Sequence, residues 1–151
     1  MAENPDYSFD GAWRDVTGRQ HIAFTNRGRP IRAFVPGVGT AANDKYFCHG
    51  HTFDTFRLYG YSPFSGPWIT RILEDEFTLV NFTSIRAGDV VAWSTAQGVL
   101  HSCLVINVGA TPTVESVKVW SKNGRVAVDV FSLSQVSNAY PGMSRAYWRP
   151  V

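Results

Sequence analysis

From about residue 85 onward, apolar and polar positions alternate with a period of two, the signature of strands. Four such runs follow closely: residues 89–93 (DVVAW), 99–107 (VLHSCLVIN), 115–121 (ESVKVWS) and 125–131 (RVAVDVF). Thr95-Ala96-Gln97-Gly98 separates the first two, a length suited to an antiparallel hairpin. The last two flank Lys122-Asn123-Gly124, whose Asn-Gly dipeptide is the strongest local hairpin signal in the chain. A short helix over 134–136 and a strand over 146–148 complete this half.

Earlier in the chain the period is helical. Thr52, Phe53, Phe56 and Tyr59 recur at helical spacing and predict one helix opening near Cys48, with Asn43 and Asp44 as N-caps and Gly60 as its stop. Pro67 marks the first turn of a second helix, over 68–76, with Ile69, Ile72 and Leu73 turned inward. Residues 30–35 read as a short strand and 36–40 as a Gly-rich loop. Residues 1–28, with scattered charges and the turn signal Asn26-Arg27-Gly28, read as loosely organised. Helices before strands predict an α+β fold in which N-terminal helices pack on an antiparallel meander sheet. The expected layout is a single domain over 1–151, with 1–43 as an irregular lead-in.

Composition sharpens this picture. In 151 residues, 44% apolar and 14% aromatic content supports a continuous core and excludes a disordered chain. A formal charge of +2, with no basic run, argues against a dedicated nucleic-acid surface. No stretch reaches membrane-spanning length, and the start, MAENPDYSFDGAW, lacks the apolar segment of a secretory signal. The expectation is a protein that is cytoplasmic as synthesised, with no membrane partner. The two cysteines, Cys48 and Cys103, make no disulfide framework and are expected to be reduced.

Cys48 falls at the expected first turn of a helix, where unpaired N–H groups favour thiolate over thiol. His101, central in an apolar strand on which that helix could pack, is the candidate base. The plainer reading makes Cys48 a small buried hydrophobe and His101 a satisfied core histidine. A zinc reading joins Cys48, His49 or His51, His101 and Cys103, because Cys103 follows His101 by two positions on the same strand face. Tyr46 is a candidate hydrogen-bond donor to a substrate carbonyl, or a packed aromatic. Phe64, Trp68 and Trp93 line a groove or belong to the core, and His21 is structural.

Tyr46-Phe47-Cys48-His49-Gly50, followed by Phe53, resembles the nucleophile-bearing helix start of NlpC-type papain-like cell-wall peptidases. Ala87-Gly88-Asp89-Val90-Val91-Ala92-Trp93 is similar to that family's Gly-Asp strand, which precedes the strand bearing the catalytic histidine, and His101 falls in that place. The resemblance spans residues 44–131, although Phe47 and His49 stand where the family often has Asp and Ser. It implies a papain-like NlpC-type fold and a thioester mechanism with Cys48 as nucleophile, His101 as base and no cofactor. Alternation puts Val117, Val119 and Ser121 on one face, making Ser121 the candidate to orient His101, with Asn123 as runner-up. Backbone N–H groups at the helix start, with His49 as a side-chain donor, are expected to hold the oxyanion.

The substrate implied by the resemblance is an amide bond in a peptidoglycan stem or cross-link peptide. Without a signal segment, such a wall-directed enzyme is expected to need a specialised secretion machine, lysis or a larger parent protein, and an antibacterial effector would have an immunity protein as partner. Two rival classes use the same residues: a cytoplasmic acyltransferase or deamidase built on the Cys–His pair, and a non-catalytic zinc-binding module.

Overall fold

The computed structural model describes residues 18–123 and 126–151. The readings that fall on 1–17 and on Gly124 and Arg125 lie outside the described residues. The fold is α+β with two antiparallel sheets.

The smaller sheet has the order β1-β2-β3, from β1 (Gly18–Phe24), β2 (Pro30–Pro36) and β3 (Ser62–Pro63). β1 corrects the expectation of a loosely organised start. It pairs with β2 from Gly18↔Pro36 to Phe24↔Pro30, and the Asn26-Arg27-Gly28 signal is its hairpin turn. The charges scattered there organise the hairpin. Arg29 pairs with Glu74 at 2.9 Å and with the buried Asp75 at 2.8 Å, fastening the hairpin to the helix α3 (Pro67–Glu76). The Asp75 carboxyl is held below its ordinary range by Arg29 and by the Thr25 hydroxyl.

Where one helix was expected after residue 43, there are two, α1 (Cys48–Thr52) and α2 (Thr55–Tyr59). The break falls at Asp54, whose φ of 55° is left-handed and cannot continue a right-handed helix. Gly60, at φ 78°, ends α2 as expected. Asn43 and Asp44 do not cap α1: they belong to a 3-10 turn, and the residue before the helix is the extended Phe47. Gly50 is required for close packing, because a Cβ there would lie 2.5 Å from Ser62 Oγ. α3 follows the expected pattern, with Ile69, Ile72 and Leu73 buried.

The larger sheet has the order β4-β9-β5-β6-β7-β8. Its strands are β4 (Phe77–Val80), β5 (Val90–Thr95), β6 (Gly98–Asn107), β7 (Lys118–Ser121), β8 (Asp129–Ser132) and β9 (Ser144–Pro150). β5 and β6 form the expected hairpin. β7 and β8 also pair, from Lys118↔Ser132 to Ser121↔Asp129, and between them the Asn123 carbonyl accepts from the Val126 N–H at 3.4 Å. β7 starts later than expected, and α4 (Leu133–Ala139) is longer, set by a reciprocal cap between Ser132 and Gln135.

Two cores flank this sheet. On one face Val90, Ala92 and Val99 pack with Ile69, Ile72 and Leu73 of α3. On the other, Val91, Trp93, Cys103, Val105 and Val119 pack with Leu133 and Val136 of α4. The pairing of β6 with β5 shifts by one residue, from Trp93↔His101 to Ser94↔Val99, leaving Leu100 as a bulge. Val99 therefore faces the α3 layer while His101 and Cys103 face the α4 layer. Asp89, from the Gly-Asp segment, is buried at the foot of β5, where its carboxylate takes 2.8 Å hydrogen bonds from Arg149 Nε and Nη2 and one of 2.9 Å from the Arg86 N–H.

Candidate active site

Cys48 opens α1 and is 8% exposed. α1 packs on β6 and β7, the two strands that carry His101 and Ser121. The expected helix-dipole support for a thiolate is small here, because a helix of five residues aligns few peptide dipoles.

His101 is 1% exposed. Its ring is stacked on Tyr140, with centroids 4.5 Å apart and planes 15° from parallel, and the cross-strand Trp93 ring lies 5.5 Å away. The Nε2 atom lies 3.0 Å from Ser121 Oγ, which in turn donates to Asn123 Oδ1 at 2.9 Å. With the serine proton spent on the amide oxygen, Ser121 Oγ accepts from His101 Nε2–H. Nδ1 then carries the ring's lone pair. Burial holds the imidazole near pKa 3, so it is neutral at pH 7.

Tyr140 links this ring to both cysteines. Burial, together with the nearby Cys48 and Cys103 thiols, raises its phenol well above the ordinary value. Cys103 is fully buried, and burial first, then Cys48, pushes its thiol up, so it is the protonated and inert one of the pair. The fold thus joins Tyr140, His101, Ser121 and Asn123 in one chain of contacts, with both cysteines in the electrostatic field of the tyrosine.

His49 is placed differently from its neighbour. Its ring is 2% exposed, with Nδ1 2.7 Å from Ser102 Oγ and Nε2 2.9 Å from Ser65 Oγ. Ser65 donates to the Leu100 carbonyl at 3.1 Å, so it accepts from His49 Nε2–H, and Ser102 donates to Nδ1. This corrects the expectation of an oxyanion donor: the one ring N–H is already committed. His49 is a clamp that fixes α1 to β6, and burial followed by the proximity of His101 lowers its pKa to about 3.

Tyr46 is a packed aromatic, stacked on Phe56 at 5.1 Å. With His51, Phe56 and Trp120 it lines a cavity of about 790 Å³ on the α1 face of the sheet. Phe64 and Trp93 are core residues, and Trp68 lies under Arg32 and Arg71. Among the described residues, no three His, Cys, Asp or Glu side chains converge as metal ligands, and His49, proposed for a zinc set, has both nitrogens engaged by serines.

Sequence reasoning missed four neighbours. Ser65 and Ser102 became visible only as partners of His49, although Ser102, polar within an apolar run, was a signal of a buried hydrogen bond. Tyr140 carries no local signal. Lys122, next to Ser121, is wholly buried, with Nζ donating to the Asn43 carbonyl at 2.6 Å. Comparison with family models, with curated proteins and with solved structures finds no match for this chain.

Proposed function

We propose that the protein is a papain-like cysteine hydrolase that cleaves an amide bond through a thioester, with Cys48 as nucleophile and His101 as base and then acid. The observation that carries this reading is the buried chain Asn123–Ser121–His101, which holds the imidazole as its Nε2–H tautomer on the strand pair against which α1, with Cys48 at its start, packs.

In the first half-reaction the Cys48 thiol gives its proton to His101 Nδ1 as sulfur bonds to the acyl carbon. The C–N bond then breaks, and the departing amine takes that proton. In the second, water attacks the thioester with His101 as base, releasing the carboxylic acid and restoring the thiol. Ser121 and Asn123 hold the ring throughout and exchange no bond with substrate.

For substrate, the Cys-His-Gly and Gly-Asp segments support a peptide of the bacterial wall, delivered by a specialised export route and neutralised in the producer by an immunity protein. Purified peptidoglycan incubated with the protein should release peptides bearing new amine and carboxyl ends, and the C48A and H101A variants should release none. Directed to the periplasm of a Gram-negative host, the wild type should cause lysis that C48A prevents. Toxicity confined to the cytoplasm, with no peptide released from any wall type, would favour acyl transfer or deamidation by the same pair.

A further inference from the structure

Val90, Leu104 and Trp120 lie opposite one another across β5, β6 and β7, so their side chains share one face of the sheet. They line the cavity of about 790 Å³ whose other walls include α1 and α2. Its rings are braced in pairs. Tyr46 stacks on Phe56 with centroids 5.1 Å apart, Phe53 meets Phe77 edge to face at 5.5 Å, and Trp120 meets His51 edge to face at 5.1 Å. Trp120 stays 44% exposed, which leaves ring surface for a ligand. An apolar, pre-formed cavity of this volume is of the size that takes a small organic molecule.

Charge and hydrogen bonding narrow the kind of molecule. Two charged side chains are found among the described lining residues, Asp54 and Arg57, and they pair with each other at 2.9 Å in exposed positions. His51 is neutral at pH 7, because burial lowers its pKa. A charged occupant would therefore lose its hydration without gaining a counter-ion. Thr52 lines the cavity and is 7% exposed, yet its hydroxyl has no hydrogen-bond partner among the described residues. A helical threonine commonly returns that hydroxyl to a carbonyl one turn back, and leaving it buried and unpaired is costly. His51 Nε2, on the adjacent residue, is likewise buried and unpartnered among the described residues.

We propose that this cavity binds an uncharged planar ring carrying a hydroxyl or an amide, with the ring among the aromatic walls and the polar group hydrogen-bonded to Thr52 Oγ1 and His51 Nε2. Such a group both donates and accepts, so one group on the ligand satisfies both atoms. The lining includes Tyr46 and Gly50, each two residues from Cys48, and not Cys48 itself. The site thus adjoins the start of α1 without using its thiol, and binding there requires no hydrolysis.

The test is titration of the whole, nitrogen-labelled protein at pH 7 with 2-naphthol, and with 2-naphthoate as its anionic counterpart, followed by NMR. With 2-naphthol the shifts should saturate with a Kd below about 1 mM, and the signals of His51, Thr52 and the Trp120 indole N–H should move. 2-Naphthoate should bind about tenfold more weakly or worse. T52V keeps the shape of the side chain and removes its hydroxyl, and should weaken 2-naphthol about tenfold. W120A alters a half-exposed position that the fold tolerates, and should weaken it to a similar degree by removing a ring from the wall. No saturable shift, shifts confined to other parts of the fold, or equal binding of the anion would overturn the proposal. Undiminished binding in folded T52V would overturn it as well, and should T52V not fold, undiminished binding in W120A would do the same.

Discussion

Tyr140 lies flat on His101, ring centroids 4.5 Å apart, and the tyrosine comes from the residue that ends α4 while the histidine comes from β6. The contact fixes the plane of an imidazole whose tautomer Ser121 sets from its edge. Y140F keeps the ring and should retain hydrolysis within a few-fold of wild type. Y140A, which lets the imidazole tilt, should lose about tenfold or more in kcat, the scale expected when a reacting group loses its orientation. Steady-state hydrolysis, with melting curves to control for folding, separates the two.

Removing the orienting hydroxyl should be milder than removing either reacting group. S121A is expected to lower kcat by about one to two orders of magnitude and C48A or H101A to abolish turnover, since an orienter holds a tautomer and makes no bond. Full activity in S121A would eliminate the relay. N123D places a carboxylate beside Ser121 and should move the acid limb of the pH–rate profile upward, because a negative charge favours the imidazolium.

His49 predicts the opposite division between activity and stability. H49A leaves the Ser65 and Ser102 hydroxyls buried without their shared partner and should destabilise the fold by about 2–4 kcal/mol, from the cavity and the lost hydrogen bonds together. Chemical denaturation measures this. A stable H49A that had lost hydrolysis would return His49 to the reaction itself.

Acid should destabilise the protein through the same two rings. In the folded state His49 and His101 stay neutral down to about pH 3, whereas the unfolded chain takes up protons near 6.5. The unfolded state thus binds more protons between those values, so stability falls as pH falls. Each histidine contributes up to about 1.4 kcal/mol per pH unit across that window. The variants H49Q and H101Q should each flatten the pH dependence of unfolding by about one proton. A slope unchanged in both would show that the rings are protonated in the native state.

Much of this was legible because local signals and tertiary packing agree. Pro67 and the Ile69–Ile72–Leu73 spacing specified α3, and alternation along 117–121 put Ser121 on the face where His101 meets it. The alternation could not reveal the polar clamp beneath α1, which joins residues 49, 65 and 102 across the fold. β1 escaped because its apolar positions are few and partly exposed, so its strand character comes from pairing with β2 and not from amphipathic pattern. The single helix expected after residue 47 failed at Asp54, where a left-handed backbone overrode a good helical spacing. Just past β7, Asn123 reaches Ser121 and Lys122 reaches the Asn43 carbonyl, contacts that no local pattern announces.

The bulge at Leu100 puts one residue more into β6 than its pairing with β5 needs. Upstream, the mutual hydrogen bonds of Gly66 and Val99 lock one phase of β6; downstream, the bond from the Val105 N–H to the Asp89 carbonyl locks the other. Between those two pins the surplus residue is slack in the ladder: without it Trp93 would still pair with His101 and Ser94 with Val99, and both ends of the strand would keep their phase. What the extra residue adds is a carbonyl, the one to which Ser65 donates while its oxygen accepts from His49. The kink in β6 therefore serves to hold α1 in place, and shortening the strand by that one residue would spare the imidazole's position and loosen the helix that carries Cys48.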